Sequence, residues 1–71
     1  INLCEDRDSR APVAATRALK RNIADERQAS ENYCRLASIA DRSGDTSAAA
    51  LFRKFSADEA KHAKEQEGFL S

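Results

Sequence analysis

Three side chains able to hold a metal cation, Glu26, Glu59 and His62, stand where the pattern of this sequence asks for apolar residues. In the stretch FSADEAKHAKEQEGF (residues 55–69), helical steps of three and four from Phe52 reach Phe55, Glu59, His62, Gln66 and Phe69. The same stepping upstream reaches Leu19, Ile23, Glu26, Ser30 and Tyr33, so a glutamate occupies a position suited to leucine. Burying an unpaired carboxylate is costly, and proteins avoid it by pairing, protonation or metal coordination. Glu59 and His62 are three residues apart, which puts both on one helix face a turn apart. Two carboxylates with one imidazole suit iron or manganese, with zinc as a substitute. The competing assignment is a polar layer inside a metal-free bundle, with Glu59 and His62 as a satisfied pair.

These residues need helices to position them. Pro12 suits the first turn of a helix, where its missing N–H costs nothing, and no further breaker occurs before Arg42. The stripe of that segment runs through Leu19, Ile23, Ser30, Tyr33, Ala37 and Ala40, widened by Ala29, Leu36 and Ile39. On its opposite face Arg21–Asp25, Arg27–Glu31 and Glu31–Arg35 have the spacing of weak helical ion pairs on a solvated surface. The run DRSGDTS (41–47) breaks the pattern: Gly44 can adopt a left-handed conformation, and Asp45 or Thr46 can cap a second helix. The stripe of that helix holds Ala48, Leu51, Phe52, Phe55, Glu59, His62, Ala63 and Phe69. The expected architecture is all-α: a polar leader over 1–11, then an antiparallel two-helix hairpin over 12–71 with helices at about 12–42 and 47–69.

Composition narrows the function classes. Twelve basic residues balance twelve acidic ones in 71 residues, so there is no basic footprint for nucleic acid. No apolar run reaches the roughly 18 residues of a membrane span, and no signal-peptide core is visible, which points to the cytoplasm or a compartment within it. The first residue is Ile1 rather than Met, as expected of a processed, truncated or partly ordered protein. Cys4 and Cys34 stand far apart in the chain, without a C-x-x-C pair, and read as free thiols, with an intermolecular bridge as the alternative. So short a chain buries a modest core and usually gains support from a metal or from oligomerisation.

The register joins these points. Glu26 lies about five helical turns before Gly44, Glu59 about four turns after it and His62 about five. The helical rise per residue then sets them about 27, 22 and 27 Å above the reversal, one level on facing stripes. Three ligands are too few to close a site, and a hairpin leaves its stripe open. A two-fold homodimer answers both deficits, because an isologous interface presents the same patch twice. Four glutamates and two histidines would then surround two ions, as in carboxylate di-iron bundles.

With E26…Y33 on the first helix and E59-A-K-H62 on the second, the chain resembles the ferritin-like superfamily, in its rubrerythrin and bacterioferritin branch, over about residues 16–70. The resemblance implies half of a four-helix bundle, completed by a second copy. It makes Glu26 a terminal iron ligand, Glu59 a bridging ligand and His62 a terminal ligand on the same ion. Tyr33 becomes a hydrogen-bond donor to a ligating carboxylate or a redox-active phenol; its amphipathic nature fits a plain seam residue as well. Gln66, a turn beyond His62, either assists a ligand or ends the polar layer. Glu31, Glu65 and Glu67 lie off the stripe and read as solvated. Ala29 stands where rubrerythrins carry an additional carboxylate, and Cys4 and Cys34 cannot form their cysteine-ligated iron module. The chain is therefore more similar to half-length, encapsulin-associated ferritins, some of which act inside protein shells. That similarity implies a di-iron ferroxidase in iron storage or detoxification, at least dimeric, in a ring or a protein-shell compartment. The alternatives are a rubrerythrin-type peroxidase fed by an electron-donor protein and a metal-free assembly module.

Overall fold

The computed structural model describes residues 11–70. Two helices, α1 (Ala11–Arg42) and α2 (Thr46–Glu67), pack against each other along their length, with no strand among the described residues. Of the expected leader only Ala11 falls within this range, where it opens α1; Cys4 lies outside it. No helix here is long and apolar enough to cross a membrane.

The reversal is closed by backbone hydrogen bonds. Gly44 takes a positive φ of 81°, the Asp45 N–H donates to the Ala40 carbonyl (2.9 Å) and the Gly44 N–H to that of Asp41 (3.0 Å). These are the two bonds of a Schellman motif. Asp45, the last residue of that motif, is also the N-cap of α2, its Oδ1 accepting from the Ala48 N–H at 3.0 Å. One residue thus ends one helix and starts the next, which forces the antiparallel course. Nothing lies within 4 Å of where a Cβ at Gly44 would sit, so Gly44→Ala meets only backbone strain, about 1–2 kcal/mol. Asp45→Ala removes the cap at about 1 kcal/mol. Chemical denaturation should show both losses without a change in helix content.

The seam is narrow. Ile23, Ala37, Ala40, Ala49 and Ala63 are its buried apolar residues, with Ala49 fully inaccessible. Four of the five are alanine, which lets the two backbones approach closely. Ser30 and Ser56 use that approach: each hydroxyl donates to the other residue's carbonyl at 2.8 Å, with the two Oγ atoms 3.1 Å apart. Tyr33 lies against Phe52 and Phe55, with ring centroids 6.3 and 5.3 Å away.

Three expectations are corrected. The residues that widen the stripes are not covered: Leu36 is 41%, Ile39 51% and Leu51 49% exposed, because a helix pair covers one strip of each helix. Phe69 is 82% exposed; α2 stops at Glu67, and Phe69 and Leu70 follow in tighter turns that donate to the Gln66 and Glu67 carbonyls. Arg27 pairs across the hairpin with Glu67 rather than along its helix with Glu31, so Glu67, still solvated as expected, is also a cross-helix partner. Arg53 and Asp41 pair likewise near the turn.

Candidate metal centre

Glu26 on α1 and Glu59 and His62 on α2 each bring one ligand atom to a common point, all within 4.8 Å of one another. Their placement follows from the turn and the seam. The Ser30–Ser56 clasp lies one helical turn from the cluster toward Gly44, four residues after Glu26 and three before Glu59, and locks the two helices in register beside it. The cluster sits at the edge of the seam: Glu26 and Glu59 are half-buried and His62 is exposed. The edge position keeps the carboxylates partly hydrated, and it leaves the group open on one side.

Each of the three has a partner in the hairpin. His62 Nδ1 is 3.2 Å from Glu59 Oε1. Glu26 Oε2 accepts from the Gln66 amide nitrogen at 2.8 Å, and Gln66 Oε1 accepts from Asn22 Nδ2 at 2.7 Å. Gln66 therefore belongs to the cluster's hydrogen-bond network rather than merely ending a polar layer. Tyr33 stands beside the cluster, lining a shallow open groove with Phe55, Asp58, Glu59 and His62. Its ring contacts are with Phe52 and Phe55.

Two residues of this neighbourhood escape the pattern-based reading. Asn22 precedes Glu26 by one turn, a spacing that signals a shared face, but an asparagine among charged neighbours reads as surface. Asp58 is adjacent to Glu59 and reaches the groove from its outer rim, off the stripe. Cys34 is an exposed free thiol on α1.

Chemically the cluster is an oxygen-rich donor set with one imidazole, matched to iron or manganese rather than to a thiolate-preferring ion. Three donors leave coordination positions unfilled. No curated protein and no solved structure matched the chain in comparison searches. A scan against protein families matches the ferritin-like domain over residues 5–71, a span that takes in both helices and all three converging residues, and the chain accordingly belongs to the ferritin-like family.

Proposed function

We propose that the protein is a ferroxidase that takes Fe(II) as its substrate at a site completed by a second copy of the chain. The observation that carries this reading is the convergence of Glu26, Glu59 and His62 on the open side of the hairpin. On that same side α1 carries Leu36 and Tyr33, and α2 carries Phe52 and Phe55. Helical geometry puts Leu36 about 80° around α1 from Glu26, away from the seam. Apolar flanks around an unfilled donor set favour a two-fold partner that buries the flanks and doubles the donors. Glu26, Glu59 and His62 of each chain would hold the iron, which supplies the electron that dioxygen or peroxide accepts. The two carboxylates offset cationic charge, and the imidazole provides the one nitrogen donor. The aromatic wall of Tyr33, Phe52 and Phe55 keeps one flank of the site apolar.

The hydrogen bonds of Glu26 and Glu59 favour a second reading. Both carboxylates have partners without any metal, as a polar layer in an assembly module would. An anaerobic Fe(II) titration with native mass separates the two. The ferroxidase reading expects about one iron per chain in a dimer, and faster Fe(III) formation than in buffer once oxygen is admitted. A dimer that takes up no iron would overturn it. Turnover with peroxide plus an external reductase, and none with oxygen, would move the assignment to a peroxidase.

A further inference from the structure

A glutamate at the edge of a seam has freedom to swing toward water, and Glu26 is the one ligand that the cluster draws from α1. Its restraint comes from the other helix. Gln66 follows His62 by one turn of α2, and Asn22 precedes Glu26 by one turn of α1, so the chain Asn22–Gln66–Glu26 crosses the hairpin twice. A carboxamide donates from nitrogen and accepts at oxygen. Asn22 occupies the oxygen end of Gln66, at 2.7 Å. That bond and the acceptor-only carboxylate agree on one orientation of Gln66: its NH₂ faces Glu26 at 2.8 Å, whereas the flipped amide would set two oxygens against each other. Being neutral, this donor leaves the site's negative charge intact for a cation, which a lysine or arginine at the same place would cancel.

We propose that Gln66, oriented by Asn22, is a positioning residue for Glu26. It engages Oε2 and directs Glu26 to bind metal through the other oxygen, at the level of Glu59 and His62. This deepens the ferroxidase reading and rests on it. Groups that hold a metal ligand in place typically raise metal affinity by about 10–100-fold, and the effect here should be of that order.

The test uses the full chain, with Co(II) and anaerobic Fe(II) as probes. Dissociation constants, the Co(II) visible spectrum and the melting temperature of the metal-free protein are measured together. Gln66→Leu, which keeps bulk and removes the donor, should weaken both metals about 10–100-fold and alter the Co(II) bands. Asn22→Ala, an exposed position that folding tolerates, should shift both readouts in the same direction by less. The double variant should bind no more weakly than Gln66→Leu, because Asn22 acts through Gln66. Wild-type affinity and spectrum in Gln66→Leu would overturn the proposal even if its melting temperature fell. Additive losses in the double variant would overturn the relay. If the wild-type protein binds neither metal, the ferroxidase reading fails and this inference with it; if it binds and Gln66→Leu binds equally well, only this inference fails.

Discussion

If the chain pairs through the proposed two-fold face, Leu36→Glu should leave it monomeric and abolish iron binding, although Glu26, Glu59 and His62 stay in place. Leu36 is 41% exposed on an isolated hairpin, and glutamate forms helix nearly as well as leucine. The cost to one chain is therefore about 1 kcal/mol. In a two-fold dimer the same change acts twice, placing two carboxylates in an apolar part of the interface, about 15 Å along α1 from Glu26. Burying an unpaired charge there is worth several kcal/mol, enough to dissociate the dimer at micromolar concentration. Native mass and iron per chain, taken on one sample, check this. A monomer that has lost helix as well as iron supports the same conclusion, since one isoleucine and four alanines are thin buried support for a lone hairpin. A variant that keeps both the dimer and its iron would show that this face is not the interface.

The second large effect is expected at the ligands. Glu26→Ala and His62→Ala should each lower bound iron from about one per chain to near zero at micromolar Fe(II), with the metal-free fold intact. His62 is exposed, and a surface truncation costs little. Removing Glu26 relieves a half-buried carboxylate but takes away the acceptor of the Gln66 amide, so its melting temperature should change little. Loss of metal without loss of stability distinguishes ligands from a structural polar layer. In a polar layer the same substitutions would alter melting temperature, if anything, and leave metal content unchanged.

Much of this arrangement is legible in the sequence because it depends on chain geometry. Helical periodicity, one glycine with an aspartate after it, and the fixed rise of a helix suffice to bring Glu26, Glu59 and His62 to one level. What escapes depends on side-chain reach. Arg27 has two carboxylates within its range, and only the packed hairpin shows that Glu67 rather than Glu31 is its partner. Asn22 and Gln66 are uncharged and not among the usual ligand types, so their role appears only when the helices are docked. Ala49 is the most deeply buried residue, but within an alanine run it carries no periodic signal. Leu36, Ile39 and Leu51 mislead in the opposite sense: a stripe predicts burial without saying against which molecule.

The doubly used Asp45 has a consequence for how this gene can change length. With no slack between α1 and α2, a single inserted residue between Asp45 and Glu59 would turn the rest of α2 by about 100° and advance it by about 1.5 Å. Glu59, His62 and Gln66 would leave the cluster together. A seven-residue insertion turns the helix by only about 20° from its starting phase, but it lifts the α2 residues two turns past Glu26 unless α1 gains the same length. Descendants that keep the site should therefore vary freely before Asn22 and after Gln66, while the interval from Glu26 to Glu59 stays fixed or grows by matched heptads, one in each helix.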